Sequence, residues 1–228
     1  MVIEMKNVKK VYHTEEIAVE AIKGVSLDIE EGKFISFIGP SGAGKSTLLN
    51  IIGCIDKPSS GEIKVNGIDV AKLNRKEIAK FRGDNIGFIF QSFNLMPVLT
   101  VFENIEYPLT VVKKIPKDEA KKMVEEILNE VGMGDQGHKF PNQISGGQKQ
   151  RVAIARALVT KPKIVIADEP TANLDSENSY NIIKLMHKMK NKHKTTFIFS
   201  THDYKIVKEA EIIFEVEDGM LKKREEEK

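Results

Sequence analysis

The sequence has one cysteine, Cys54, among its 228 residues, and this excludes a fold held together by intramolecular disulfides. A chain of this length buries enough apolar surface to be stable without such cross-links. No apolar run approaches the roughly 20 residues that a membrane-spanning helix needs, and the first residues lack the apolar core of a signal peptide. We therefore expect a cytoplasmic protein, which a single unpaired cysteine also fits.

The chain has little excess charge of either sign. Its net charge of +2 at pH 7 gives no reason to expect a nucleic-acid partner. The sequence also contains no repeat and no low-complexity linker, so we expect residues 1–228 to form one compact unit. Composition therefore argues against a disulfide-bonded, a membrane-spanning or a nucleic-acid-binding protein. The motifs must decide the function.

Short and nearly continuous apolar runs predict strands that are covered on both faces of a parallel sheet. The runs are Phe34–Ile38, Gly87–Phe90, Ile164–Ala167, Thr196–Phe199 and Ile212–Val216. One amphipathic helix is predicted over Lys117–Val131, with Gly132 as its C-terminal stop. Another is predicted after Ser176 as the N-cap, with Ile182, Ile183, Met186 and Met189 facing inward. Alternation of strands and helices predicts an α/β fold.

Two regions depart from this alternation. Turn signals at Glu31-Gly32, Ser60-Gly61 and Asn66-Gly67 predict a small antiparallel sheet in the N-terminal third. The stretch from about Ser92 to Asn142 is mostly helical in pattern and has prolines near both ends, which predicts an inserted helical subdomain. We therefore divide the chain into a β subdomain with the core at 1–91 and 150–228, and a helical subdomain at 92–149.

The segment Gly39–Ser46 matches the phosphate-binding pattern G-x-x-x-x-G-K-[ST] in full. It follows the predicted strand Phe34–Ile38 and leads into the apolar segment Thr47–Ile52, which is predicted to be helical. In such a loop backbone N–H groups converge on phosphate oxygens, and the helix N-terminus adds partial positive charge. Lys45 is expected to reach the β- and γ-phosphates, and Ser46 to offer its hydroxyl to Mg²⁺. The alternative is a glycine-rich turn that contains a lysine by chance, and the matching strand and helix argue against it.

Asp168 and Glu169 follow directly after the apolar run Ile164–Ala167. Ligands of open α/β sheets collect at the carboxyl ends of the strands, so this pair is expected near the phosphate loop. Asp168 is the natural residue to hold Mg²⁺, and Glu169 is a candidate general base for the attacking water. An acidic pair by itself is more often a solvated loop. The neighbouring phosphate loop makes the functional interpretation the stronger one.

Ser145-Gly146-Gly147-Gln148 comes just before a long predicted helix through Arg151, Ile154, Ala155 and Leu158. A helix N-terminus with bare backbone N–H groups and a hydroxyl is a second possible phosphate site. Because the chain has only one phosphate loop, this site either closes on the same nucleotide or serves the nucleotide of another copy. The simpler alternative is a turn capped by Ser145.

The segment Ile144-Ser145-Gly146-Gly147-Gln148 resembles the signature motif of ATP-binding-cassette (ABC) ATPases, with Ile144 where leucine is commoner. The resemblance covers essentially the whole chain, and the motifs occur in the expected order. By this resemblance Tyr12 is the aromatic residue that stacks on adenine, Gln91 is the Q-loop glutamine, Asn173-Leu174-Asp175 is the D-loop, and His202 is the switch histidine that contacts the γ-phosphate.

The resemblance implies an α/β fold of the P-loop, RecA-like type: a mostly parallel sheet core, an N-terminal antiparallel β subdomain and an inserted helical subdomain. It implies hydrolysis of ATP with Mg²⁺ in a homodimer that sandwiches two nucleotides. The implied catalytic residues are Glu169, His202, Lys45 and Gln91, and the implied metal-binding residues are Ser46, Gln91 and Asp168. The implied nucleotide-binding residues are Tyr12, Gly39, Pro40, Ser41, Gly42, Ala43, Gly44, Lys45, Ser46, Thr47, Gln91, Ser145, Gly146, Gly147, Gln148 and Asp175.

The segments Ile51–Pro58, Phe93–Thr100 and Pro170–Ser176 resemble the branch that contains lipoprotein-release, macrolide-export and antimicrobial-peptide-export ATPases. This resemblance implies separately encoded membrane permease subunits and a peripheral location on the inner face of the membrane. The loop after Gln91 and the region Ser92–Asn142 would then be the docking surface.

Three other functions compete with this interpretation of the sequence. The main alternative is a regulatory ATPase of the cell-division type, which signals through a membrane partner without moving solute. The modest net charge and the lack of a coiled-coil insertion disfavour a soluble DNA-repair or translation ATPase. A GTPase is disfavoured because the sequence has no Asn-Lys-x-Asp pattern.

Overall fold

Residues 1–13 and 17–223 are described by the structure, a computed structural model. In this part of the chain the strands are β1 Ile3–His13, β2 Ala18–Ile29, β3 Phe34–Ile38, β4 Ser60–Val65, β5 Ile68–Asp69, β6 Ile86–Ile89, β7 Ile164–Ala167, β8 Thr196–Ser200, β9 Ile212–Glu217 and β10 Met220–Lys223. The α-helices are α1 Lys45–Ile52, α2 Arg75–Asn85, α3 Val101–Tyr107, α4 Lys117–Glu130, α5 Gly146–Leu158, α6 Ser176–His193 and α7 Tyr204–Val207.

The central sheet has the strand order β10-β9-β3-β8-β7-β6. Strands β6, β7, β8, β3 and β9 are parallel, and β10 pairs antiparallel with β9 at the edge. The five predicted strands are all confirmed, with ends that differ by at most one residue. Every residue of β3, β7 and β8 is buried, as expected for parallel strands that are covered on both faces.

Alternate residues of these strands enter two different hydrophobic clusters, one on each face of the sheet. Phe34, Val165, Phe197 and Phe199 pack with α3, α4, α5 and α6 on one face. Ile35, Phe37, Ile166 and Ile198 pack with α1 and the N-terminal strands on the other. The continuous apolar character of the strands therefore reflects two cores that share one sheet.

The N-terminal sheet is antiparallel, with the strand order β2-β1-β4-β5. Asn66 and Gly67 form the predicted tight turn, since both have positive φ angles (52° and 76°) and the flanking residues Val65 and Ile68 pair. The turn predicted at Ser60-Gly61 is wrong, because these residues begin β4. Gly61 allows β4 to pack closely against β1, since a Cβ on it would lie 2.4 Å from the carbonyl oxygen of Asn7 in β1.

The helical region between β6 and β7 contains α3, a π-helical segment at Pro108–Val112, and α4. The prediction for α4 is confirmed: it begins at Lys117, ends at Glu130, and is followed by Gly132 with φ 72°. Helix α5 runs without interruption across residue 149, the predicted end of the helical subdomain. That subdomain boundary stays a prediction.

The cap of α6 corrects a prediction. Asp175, and not Ser176, is the N-cap, because Asp175 has an extended backbone and its carboxylate accepts a hydrogen bond from the Asn178 N–H. Ser176 is the first helical residue. The predicted inward face of α6 is confirmed, since Ile182, Ile183, Met186 and Met189 are all buried.

Candidate functional site

The phosphate-binding loop connects β3 to α1 at the carboxyl edge of the central sheet. Gly39 (φ 146°) and Gly44 (φ 105°) cannot be replaced without collision, since a Cβ on them would lie 2.1 Å from the Val216 carbonyl oxygen and 2.6 Å from that of Ala21. In the part of the chain that the structure describes, no side chain caps the N-terminus of α1 at Gly44. The backbone N–H groups and the positive end of the helix dipole therefore stay available to an anion.

Lys45 and Ser46 begin α1 and point to the mouth of the loop. The Lys45 side chain is largely buried, and its Nζ donates hydrogen bonds to the carbonyl oxygens of Gly39 (2.8 Å) and Pro40 (2.9 Å). The Ser46 hydroxyl donates to Oδ1 of Asp168 at 3.2 Å. The loop therefore contacts the first of the two acidic residues, as the sequence predicted.

Residues from five separate parts of the chain line one cleft of about 610 Å³. The lining consists of Ala21, Gly39, Pro40, Ser41, Gly42, Gly44, Lys45, Ser46, Thr47, Gln91, Asp168, Glu169 and His202. The cleft lies where β3, β7 and β8 end, which is the edge at which ligands of parallel α/β sheets bind. The structure thus brings together the residues that the sequence assigned to phosphate, metal and catalysis.

Glu169 follows Asp168 with a left-handed backbone, φ 47°, which is unusual for a residue other than glycine. Its N–H donates to the hydroxyl of Ser200 at 2.9 Å, and its Oε2 lies 2.9 Å from Nδ1 of His202. Because a carboxylate only accepts hydrogen bonds, Nδ1 is the donor in this pair. A strained residue held from two sides is typical of functional positions.

The donor groups beside the loop fit Mg²⁺. Ser46, Asp168 and Gln91 offer hydroxyl, carboxylate and amide oxygens, the hard ligands that this ion prefers. Within residues 1–13 and 17–223, no group of three or more His, Cys, Asp or Glu side chains gathers as a metal cluster. An ion here would depend on nucleotide phosphates and water for its remaining ligands, as Mg²⁺ at nucleotide sites usually does.

Ser200 is a contact residue that the sequence analysis missed. It is the last residue of β8 and fully buried, and its hydroxyl donates to Oδ1 of Asp168 at 2.6 Å. The parallel register of β7 and β8 pairs Ala167 with Phe199 and so sets Asp168 beside Ser200. A serine at the end of an apolar run looks like a core residue, and only the strand pairing reveals its partner.

Tyr12 is in β1, outside the cleft lining, with 40% of its surface exposed. Its hydroxyl donates to Oδ2 of Asp56 at 2.9 Å, and Lys10 Nζ lies 4.8 Å from the ring centroid and 2.6 Å from Asp56 Oδ1. Partial burial, with help from the hydrogen bond to Asp56, raises the pKa of the Tyr12 hydroxyl. Burial works against ionisation of Asp56, but its hydrogen bonds with Lys10 and Tyr12 hold its pKa below the usual value.

Ser145–Gln148 also lie outside the cleft lining, and Gly146–Gln148 form the first turn of α5 where the sequence predicted a segment just before the helix. Ser145 caps α5 in a reciprocal arrangement: its hydroxyl accepts from the Gln148 N–H at 3.3 Å, and Oε1 of Gln148 accepts from the Ser145 N–H at 2.9 Å. Gly147 permits close packing, since a Cβ on it would lie 2.9 Å from Oδ1 of Asn178 in α6. The N-termini of α5 and α6, capped by Ser145 and Asp175, are therefore neighbours.

The loop after Gln91 is clamped by two side chains. Nδ2 of Asn173 donates to the Gln91 carbonyl at 2.9 Å, and the Arg156 guanidinium donates to the carbonyls of Phe93 (2.8 Å) and Asn94 (2.5 Å). Burial lowers the pKa of Arg156. An apolar groove of about 370 Å³ adjoins this loop, and Phe88, Phe90, Met96, Tyr107 and Val112 are among its lining residues.

No helix among the described residues is both long and apolar enough to cross a membrane.

Comparison with known proteins gives a matching family and several similar chains. The family model described as "ABC transporter" matches residues 22–172. The uncharacterised ABC transporter ATP-binding protein MJ0796 of Methanocaldococcus jannaschii is 44% identical over 227 residues, which cover 98% of this chain and 96% of that one. A solved dimeric structure of the MJ0796 cassette, in a post-hydrolysis state with ADP and Pi, superposes with a TM-score of 0.89 at 42% identity and covers 98% of both chains.

The proteins similar to this chain include some that are named for export and some that are named for import. The bacitracin export ATP-binding protein of Halalkalibacterium halodurans is 40% identical, over 96% of this chain and 87% of that one. The methionine import ATP-binding protein of Helicobacter pylori is 44% identical, over 92% of this chain and 62% of that one. The named relatives agree on an ATP-binding role.

Proposed function

The chain belongs to the ABC transporter family and is an ATPase of that family, as its motifs predicted; we propose that it works as a dimer to drive a separate membrane permease. The observation that carries this proposal is the division of the site. The phosphate loop, Asp168, Glu169 and His202 share one cleft, whereas Ser145–Gln148 lie outside the lining of that cleft. Ser145–Gln148 of a second copy are proposed to complete the site.

The residues in the cleft are proposed to act on ATP in distinct ways. The loop N–H groups and Lys45 bind the phosphates, and Lys45 stabilises the charge that develops during transfer. Ser46, Gln91 and Asp168 would hold Mg²⁺, which would supply positive charge that stabilises the phosphates. Glu169 accepts a hydrogen bond from the attacking water and orients it toward the γ-phosphate. His202 holds the Glu169 carboxylate in place.

A dimer explains the position of the signature motif, Ile144–Gln148. Ser145 satisfies only part of the N-terminus of α5, so further backbone N–H groups there remain for an anion from another molecule. Tyr12 is proposed to stack on adenine and Asp175 to act at the same interface. The solved MJ0796 cassette is described as dimeric with ADP and Pi, which supports the same arrangement here.

The dimer is tested with the Glu169→Gln variant, which keeps the shape of the site but removes the base. We expect this variant to have twice the monomer mass by light scattering when ATP and Mg²⁺ are present. The matched control is Glu169→Gln combined with Lys45→Ala, which weakens phosphate binding and should remain monomeric. Monomer in both samples, at protein concentrations where ATP is bound, contradicts the proposed dimer.

The permease is proposed to dock in the apolar groove beside the Gln91 loop. Tyr107 and Val112 line it and are 43% and 51% exposed, and neighbouring apolar side chains that are exposed together are typical of interaction sites. The clamp from Arg156 joins this groove to the loop that enters the ATP cleft. The resemblance to exporters and to lipoprotein-release ATPases favours that type of permease, and the bacitracin-export relative supports it.

Docking is tested by co-purification with the membrane protein encoded beside this chain. Tyr107→Glu should abolish co-purification, because a carboxylate in the groove would be buried without a partner. Tyr180→Glu is the control, since Tyr180 is similarly exposed (46%) but lies on α6, away from the groove. Equal recovery of both variants contradicts docking at this groove and leaves the ATPase assignment unaffected.

A further inference from the structure

We propose that Ser200 is a positioning residue that sets the geometry of both Asp168 and Glu169, and so controls metal binding and water activation together. The inference rests on the proposed roles of those two acidic residues. Ser200 contacts both of them through a single hydroxyl oxygen: it donates to Oδ1 of Asp168 at 2.6 Å and accepts from the N–H of Glu169 at 2.9 Å. No motif in the sequence marks this serine.

The direction of these hydrogen bonds follows from the chemistry of the groups. A serine hydroxyl has one hydrogen, and the Asp168 carboxylate can only accept, so the hydrogen of Ser200 points to Asp168. The Glu169 N–H then donates to the lone pairs of the same oxygen. The two bonds form a chain from the amide through the hydroxyl to the carboxylate, in which each bond polarises the next. The 2.6 Å separation is typical of a hydroxyl bound to an ionised carboxylate.

The chain of bonds restrains Asp168. Ser200 and Ser46 both approach the same oxygen, Oδ1, but Ser200 is closer (2.6 Å against 3.2 Å) and fully buried. The stronger bond therefore comes from the core side of the site, and it sets the orientation of the carboxylate toward the phosphate loop. Because the Ser46 hydroxyl donates its hydrogen to Asp168, the lone pairs of its oxygen would remain for Mg²⁺.

The same hydroxyl restrains Glu169 at its backbone. The left-handed conformation of this residue (φ 47°) costs free energy and persists only where neighbouring contacts maintain it. The N–H bond to Ser200 is one such contact, and the carboxylate contact with His202 is another. Both partners come from the end of β8 and the loop that follows it. The Thr201 N–H in turn donates to the carbonyl of Phe37 in β3, next to the phosphate loop.

The experiment compares Ser200→Ala with Ser36→Ala. Ser36 is a matched control: it is fully buried in the neighbouring strand β3, opposite Phe199, and its hydroxyl has no hydrogen-bond partner among the described residues. We expect Ser200→Ala to lower kcat about tenfold and to raise the Mg²⁺ concentration for half-maximal activity several-fold, since displacement of a positioned group by about 1 Å costs up to 10²-fold. Ser36→Ala should match the wild type in both quantities.

A second readout is independent of turnover. Mn²⁺ binding, followed by electron paramagnetic resonance in ATP-loaded Glu169→Gln protein, should weaken several-fold when Ser200→Ala is added and stay unchanged when Ser36→Ala is added. Ser200→Thr and Ser200→Val differ only in the hydroxyl at equal size, so Thr should restore much of the Mn²⁺ affinity and Val should not. This pair also keeps the test valid if the alanine variant fails to fold.

Two outcomes overturn the proposal. If Ser200→Ala, or Ser200→Val against Ser200→Thr, stays within twofold of Ser36→Ala in kcat, Mg²⁺ dependence and Mn²⁺ affinity, the hydroxyl does not position the acidic pair. If the wild type shows no Mg²⁺-dependent ATP hydrolysis, the proposed roles of Asp168 and Glu169 fail first and the inference fails with them.

Discussion

Nδ1 of His202, in the loop after β8, lies 2.9 Å from Oε2 of Glu169, in the loop after β7. The imidazole therefore holds the Glu169 carboxylate. His202 is the more exposed partner, with 71% of its side chain accessible against 18% for Glu169. The histidine therefore reaches over the carboxylate from the solvent side. This contact ties two neighbouring strands of the sheet together at the point where we place water activation.

His202→Ala is expected to lower kcat about 100-fold with little change in KM, because a carboxylate that loses its orienting donor is misplaced by about 1 Å. The measurement is steady-state phosphate release. His138→Ala is the control, since His138 is exposed and lies outside the cleft. A fall in kcat of less than threefold for His202→Ala would show that Glu169 keeps its orientation without the imidazole.

Lys45→Ala is expected to weaken ATP binding about tenfold to 100-fold, because a charge-assisted hydrogen bond contributes about 1.5–3 kcal/mol. In the structure the ammonium group lies at the mouth of the loop between the carbonyls of Gly39 and Pro40. Titration with a fluorescent ATP analogue measures the change. Lys64→Ala is a control on β4, away from the cleft, and should bind ATP like the wild type.

Tyr12→Ala is expected to weaken ATP binding about tenfold, since stacking of a base on an aromatic ring contributes about 1–3 kcal/mol. Competition by inorganic tripolyphosphate, which has no base, should not change. Tyr12→Phe keeps the ring but loses its hydrogen bond to Asp56, so an intermediate loss is expected. Equal weakening of ATP and tripolyphosphate binding would place Tyr12 at the phosphates instead of the base.

Glu130 predicts a dependence of stability on pH. It ends α4 and accepts hydrogen bonds from Lys192 (2.9 Å) and His193 (2.6 Å) at the end of α6. Burial opposes ionisation of Glu130, but these two partners hold its pKa below the ordinary value of about 4.3. A lowered pKa means that the stabilising contribution is present above that ordinary value and is lost as pH falls through the folded-state pKa.

The comparison is between wild type and Glu130→Gln in thermal unfolding from pH 7 to pH 3. The wild type should have the higher Tm at pH 7, and the difference should shrink below about pH 4.3 as Glu130 becomes protonated. Glu125→Gln is the control, because among the described residues Glu125 has only one weak ion pair, with Lys121 at 3.9 Å. A Tm difference that stays constant down to pH 3 would contradict an ionised Glu130 in the folded protein.

Local chemistry made several elements predictable from the sequence. The five core strands are apolar runs flanked by turn residues, and α4 has a clear amphipathic pattern with glycine after its end. The α6 cap was missed by one residue because aspartate and serine are both good N-caps and stand next to each other. The Ser60-Gly61 turn was wrong because glycine serves close strand packing as well as turns, and the sequence pattern is the same for both.

The sequence by itself determined the chemistry of the phosphate loop, because Gly39–Ser46 are contiguous and their backbone and side chains form one binding element. It also determined the two acidic residues and the family to which the chain belongs. The tertiary structure alone decided which residues surround them. Ser200 meets Asp168 through the register of β7 and β8, Asp56 anchors Tyr12 across 44 positions, and Arg156 clamps the Gln91 loop from 62 positions away. Contacts of this kind depend on how strands pair and helices pack, and no local pattern of residues encodes them.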